Sequence, residues 1–176
     1  PAQKRAYALC FAAVALAGVG STWFHLAPDA GRLAWDRLPI ALGFMALLAA
    51  VIGERVSTTA GRNALAPLLV AAAASVLYWR WSMLYGTENI VPYAVVQYGG
   101  LAAIVALAML RSRYTRGGDL LVVAAIYAAA KIFEMLDGQI YALGTFVSGH
   151  TLKHLLAALA VCWLVRMLQL RQARAI

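Results

Sequence analysis

Leu68-Leu69-Val70-Ala71-Ala72-Ala73-Ala74 carries no charged or polar side chain, and it lies inside a longer apolar stretch, Ala64–Trp81. The hydrocarbon core of a bilayer is about 30 Å thick, so about 20 mostly apolar residues make one helical crossing. The same reading repeats outward from this run in both directions. It predicts spans at Ala6–Phe24, Asp36–Ile52, Val91–Leu110, Leu120–Leu136 and Gly149–Leu168 as well. The connections are short and marked by Pro28, Gly31, Gly61, Gly86, Pro92, Gly117, Gly118 and Gly144. The expected fold is therefore an all-α polytopic transmembrane helical bundle, six spans in one domain over residues 1–176.

Composition agrees. Of 176 residues, 64% are hydrophobic and 12% charged, with a mean hydropathy of +0.76. A soluble domain of this length has no use for that much apolar surface. The formal net charge of +8 could point to nucleic acid in a soluble protein. Here the basic residues lie between and after the apolar segments, so no nucleic-acid partner is expected and topology accounts for them. Lys4, Arg5, Arg55, Arg62, Arg111, Arg113, Arg116, Arg166, Arg171 and Arg174 fall on one side of the six-span map, against Arg32, Arg37 and Arg80 on the other. Positive residues stay cytoplasmic, which puts both termini of this chain inside. Cys10 and Cys162 form no CxxC pair and read as small buried hydrophobes. The first apolar stretch is followed by no signal-peptide cleavage pattern. Small residues, including Gly99-Gly100 and the alanine runs, allow close helix packing.

The chain has 3 histidines. His25 closes the first span in Ser21-Thr22-Trp23-Phe24-His25, and His150 and His154 open the last in Ser148-Gly149-His150-Thr151-Leu152-Lys153-His154. Residues i and i+4 share a helix face, so His150 and His154 can grip one ion. Three imidazoles leave the fourth tetrahedral position of a zinc open, the catalytic pattern. Ser21, His25, Asp36, Lys131, Glu134, Asp137, His150 and His154 all map to the outward half. Asp36 could move a proton between water and a leaving amine, and Ser21, one turn before His25, could stabilise an oxyanion. The set describes metal-assisted hydrolysis of an amide or ester within a membrane. Plainer roles stand beside these: Asp36 as a helix cap, Ser21 as an interhelical hydrogen bonder. A b-type cytochrome fits less well than a small ion, because an i,i+4 pair is not a facing pair of haem ligands.

These residues carry a resemblance. Ser-x-x-x-His at Ser21 and His25, Asp36 in Trp35-Asp36-Arg37-Leu38-Pro39, and His-x-x-x-His at His150 and His154 resemble the alkaline ceramidases, bacterial members in particular. That family belongs to a superfamily of membrane hydrolases shared with the progestin and adipoQ receptors. The resemblance spans essentially the whole chain. It implies a seven-helix zinc amidase that splits a ceramide or other N-acyl lipid into fatty acid and amine-bearing lipid. His25, His150 and His154 would be the Zn2+ ligands, Asp36 the acid/base and Ser21 the oxyanion-side serine. Six spans are counted here, so a further helix upstream is expected, and no calcium site is assigned. The implied location is a bacterial inner membrane with the site toward the periplasm. The alternative within the superfamily is a zinc-containing receptor or sensor without significant turnover.

Other polar residues have their own expected roles. Lys131 and Glu134, at i,i+3, should form an ion pair, with Asp137 nearby. Lys153 lies about 100° around the helix from His154 and should snorkel outward or pair with a carboxylate. Tyr78, Trp79, Trp81 and Tyr85 read as an interfacial aromatic belt. The topology has a direct test. A cysteine at Gly144 should react with an impermeant thiol reagent on whole cells and one at Ala173 should not, and the reverse pattern would overturn the orientation.

Overall fold

The computed structural model describes residues 2–174. Its helices are α1 (Ala2–Leu26), α2 (Ala30–Arg55), α3 (Thr58–Leu84), α4 (Val91–Ala108), α5 (Asp119–Met135), α6 (Asp137–Gly144) and α7 (Gly149–Leu170). Helix α4 passes through a π-helical stretch at Val95–Gly99. No strand forms among the described residues, only an isolated bridge between Tyr114 and Ala173. Helices α1, α2, α3, α4 and α7 are each long and apolar enough to cross a membrane. The remaining expected span, 120–136, falls on helix α5, which is not among those five. At 17 residues it is shorter than those five, about 25 Å at the usual rise, and it carries Lys131 and Glu134 near its end.

Two starts lie six residues earlier than the apolar pattern placed them. Helix α2 begins at Ala30 rather than at Asp36, because Asp29 caps it: its Oδ1 accepts from the Gly31 and Arg32 N–H groups at 2.7 and 2.9 Å. The Arg32 N–H, ahead of the Gly31 N–H and the charges of Arg32 and Arg80, holds the Asp29 carboxyl below its ordinary value. Helix α3 begins at Thr58, where the Ser57 hydroxyl accepts from the Ala60 N–H at 3.0 Å. Both caps satisfy N–H groups that a helix leaves without partners, and they extend each helix through a polar first turn. Residues 137–144, expected as part of a connection, form the short helix α6.

The chain divides between Leu107 and Ala108 into two compact units. In the first, α2 is the central helix: Ala41, Met45, Ala46, Leu47, Leu48, Ala49, Ala50 and Val51 are buried. A helix apolar on all sides is one that neighbours cover on all sides, and α1 and α3 flank it. The contact with α1 is tightest at Gly20, where an added Cβ would collide with the Trp35 carbonyl oxygen and lie 3.3 Å from Asp36 Cα. The contact with α3 pairs two glycines, since a Cβ on Gly61 would come within 2.6 Å of Gly53 Cα. At the other end of α1, Tyr7 donates to buried Glu54 at 2.9 Å and Gln3 Nε2 to the Gly53 carbonyl at 3.0 Å.

In the second unit, α5 packs along α7, and the tail returns to the 109–118 connection. Thr115 N–H donates to the Gln172 carbonyl at 2.8 Å, Arg174 N–H to that of Arg113 at 2.9 Å, and Arg171 lies 4.4 Å over the Tyr114 ring. The arginines of this unit's basic end are thereby gathered where α5 begins and α7 ends, opposite His150 and His154.

Gly20 offers a stability test with an internal control. Gly20→Ala should cost about 1–3 kcal/mol through overpacking against backbone. Gly18→Ala, whose Cβ meets nothing within 4 Å, should be neutral or stabilising by about 0.5–1 kcal/mol through helix propensity. Thermal melting of the two variants in one detergent measures both, and equal melting temperatures would remove the close contact at Gly20.

Candidate metal centre

The last long helix presents two imidazoles as one pair. His150 and His154 are separated by four residues on α7, and their Nε2 atoms stand 3.0 Å apart. The rings meet edge to face, with centroids 4.7 Å apart and an interplanar angle of 71°. Two nitrogens bound to a tetrahedral zinc at the usual Zn–N distance would lie about 3.3–3.4 Å apart. The pair is therefore within a few tenths of an ångström of a ligand geometry. His150 is half-buried and His154 exposed.

The sequence around the pair explains why it is held there. Gly149 meets the end of α5 backbone to backbone: a Cβ would strike the Phe133 carbonyl oxygen and lie 2.8 Å from Asp137 Cα. That approach lets the Asp137 Oδ1 accept from the His150 N–H at 2.7 Å. One residue further, the Ser148 hydroxyl accepts from the Thr151 N–H at 3.1 Å. Two of the unpartnered N–H groups of α7 are thus satisfied by two side chains, and Asp137 adds negative charge at the positive end of the helix. Behind the pair, Glu134 accepts from Lys131 and, at 2.8 Å, from Lys153. The expected Lys131–Glu134 pair forms, and Lys153 takes the carboxylate open to it. Asp137 does not join that network; it caps α7. Nothing local in the sequence marks this role, because Asp137 lies 13 residues from the group it caps.

The other candidate residues belong to the first unit. Ser21 and His25 sit on the last two turns of α1, with His25 edge to face against Phe24 at 5.2 Å between centroids. Asp36 is inside α2, in its second turn, so it is not the cap; Asp29 is. The contact at Gly20 places the backbone of Asp36 beside the turn of α1 that carries Ser21. Both side chains are half-buried, and among the described residues neither the Ser21 hydroxyl nor the Asp36 carboxylate has a hydrogen-bond partner. Next to Asp36, the Arg37 guanidinium lies 4.1 Å over the Trp79 ring and 5.3 Å from the centre of Tyr93. These contacts fix the N-terminal turns of α2 against α3 and α4. They also correct the aromatic belt: Trp79 is 1% exposed and packs inward under Arg37.

No family model, curated protein or solved structure matches the chain.

Asp137 should be separable from the ligands it supports. Asp137→Ala removes a cap and should cost about 0.5–2 kcal/mol, while Asp137→Asn keeps a carbonyl oxygen at the same place and should lose less. Melting temperatures of the two purified variants test this, and an Ala variant as stable as the parent would show that the cap contributes nothing.

Proposed function

We propose that the protein is a zinc-dependent membrane hydrolase that splits the N-acyl amide bond of a ceramide-like lipid. The observation that carries the reading is the His150–His154 pair, with two Nε2 atoms 3.0 Å apart on a helix capped by Asp137 and Ser148. Together with His25, it supplies three neutral nitrogen donors, a set suited to zinc with a position left for chemistry. When bound there, zinc supplies Lewis-acid polarisation of the acyl carbonyl and a lowered pKa for water.

The rest falls to the chain's own side chains. Asp36 accepts a proton from the attacking water as its oxygen bonds to the acyl carbon. The Ser21 hydroxyl donates to the oxygen on which negative charge develops. Asp36 then returns the proton to the amide nitrogen as the C–N bond breaks, leaving a fatty acid and an amine. Three features support these roles. Ser21 and Asp36 come from adjacent turns of α1 and α2. They are half-buried, and their polar atoms are not committed to other residues among those described. The long apolar helices fit a substrate that arrives from the bilayer.

The purified chain should bind one zinc, and His150→Ala or His154→Ala should cut the stoichiometry sharply. Asp36→Asn should keep the metal and lose about 10²–10⁴-fold in turnover. Incubation with a panel of N-acyl lipids, read by mass spectrometry of released fatty acid, measures that turnover and identifies the substrate. Unchanged zinc in both histidine variants would sink the metal assignment. Bound zinc with no fatty acid released from any lipid would favour the receptor-like alternative.

A further inference from the structure

At the outer end of α3, the first unit contains an open cavity of about 580 Å³ that the proposed hydrolysis does not use. Three aromatic rings form one wall: Trp81 stands between Tyr78, at 5.8 Å between centroids, and Tyr85, at 4.9 Å. The loop leading to α4 also lines it, with Glu88 and Asn89. No lysine, arginine or histidine lines the cavity. Among the described lining residues, Glu88 is the one that carries a formal charge.

The loop is built to hold that shape. Ser82, fully buried, anchors it twice: its carbonyl accepts from the Thr87 N–H at 3.0 Å and its hydroxyl from the Asn89 N–H at 2.9 Å. Asn89 Nδ2 reaches the Tyr78 hydroxyl at 3.4 Å and ties the loop to the aromatic wall. Gly86 (φ +73°) and Glu88 (φ +37°) both adopt left-handed backbone. Glycine does so freely, but a glutamate there is held against its preference, and such strain concentrates at ligand sites. An interfacial belt accounts for exposed aromatics. It does not call for a glutamate with left-handed backbone in a pinned loop beside them.

Aromatic faces are electronegative, and several rings with one carboxylate and no opposing cation recognise a soft organic cation that sheds its water easily. A quaternary ammonium fits, because its methyl groups pack on rings and make no demand for hydrogen-bond acceptors. The cavity lies just past Leu84, where an apolar helix long enough to cross a membrane ends, so it faces the lipid headgroup layer. We propose that this cavity binds a trimethylammonium group, and that the choline headgroup of a membrane lipid supplies it. The site is independent of zinc and of amide cleavage.

The test uses the full chain, with Trp81 kept as reporter. Tetramethylammonium chloride titrated into protein in a non-ionic detergent should give a saturable change in tryptophan fluorescence that sodium chloride at equal ionic strength does not. Tyr85→Leu and Glu88→Gln should each weaken the response by between about 2-fold and 30-fold, with melting temperatures near that of the parent. In nanodiscs of equal phosphatidylcholine and phosphatidylglycerol, native mass spectrometry should show phosphatidylcholine enriched on the parent and not on either variant. No saturable response, or the same response in parent and both variants, would overturn the site. A saturable response without phosphatidylcholine enrichment would overturn the lipid as its source.

Discussion

Helices surrounded by lipid gain nothing from hiding apolar side chains against one another, so close backbone packing has to hold them together. In this chain the closest approaches occur at glycines set against backbone: Gly20 on Trp35, Gly61 on Gly53, Gly149 on Phe133. Each contact brings two helices nearer than any side chain would permit. Two of the three also lie beside the candidate site residues. Gly20 sets the Ser21 turn of α1 beside Asp36, and Gly149 brings the start of α7 down onto α5 and α6 so that Asp137 reaches the His150 N–H. The polar residues are therefore positioned by small neighbours more than by their own interactions.

Charge at membrane depth brings a second constraint, because an unpaired ion there is costly. The chain meets it in three ways. Glu134 is shared between Lys131 and Lys153. Buried Glu54 takes a hydroxyl donor from Tyr7. Arg37 is placed over aromatic faces. These groups tie helices together within each unit. Ser21 and Asp36 stand apart: both are half-buried and have no side-chain hydrogen bond among the described residues.

The long helices were legible in the sequence because their signal is length, and a run such as Leu68–Ala74 has no soluble explanation. Their polar ends were not. Asp29 and Ser57 start α2 and α3 through side-chain hydrogen bonds, and an apolar window cannot see the turn that follows. Helix α6 was missed for a related reason: eight residues with glycine near both ends look like a connection. At the site, the i,i+4 spacing of His150 and His154 announced a shared face, and the structure brings their Nε2 atoms together. The Lys131–Glu134 pair was equally local. Asp137 and Trp79 depend on what lies across from them, and that partner is set by tertiary packing alone.

The placement of the histidine pair poses an electrostatic problem that Asp137 answers. A helix N-terminus carries about half a positive charge, which favours anions and repels cations. His150 is the second residue of α7, so a cation held by His150 and His154 would sit close to that positive end. The nearby Lys131–Glu134–Lys153 cluster does not help, since two lysines and one carboxylate leave a net positive charge. Asp137 is the carboxylate left to compensate, and it lies 2.7 Å from the His150 N–H. One side chain thus caps the helix that aligns the imidazoles and would offset the charge of a cation bound beside it.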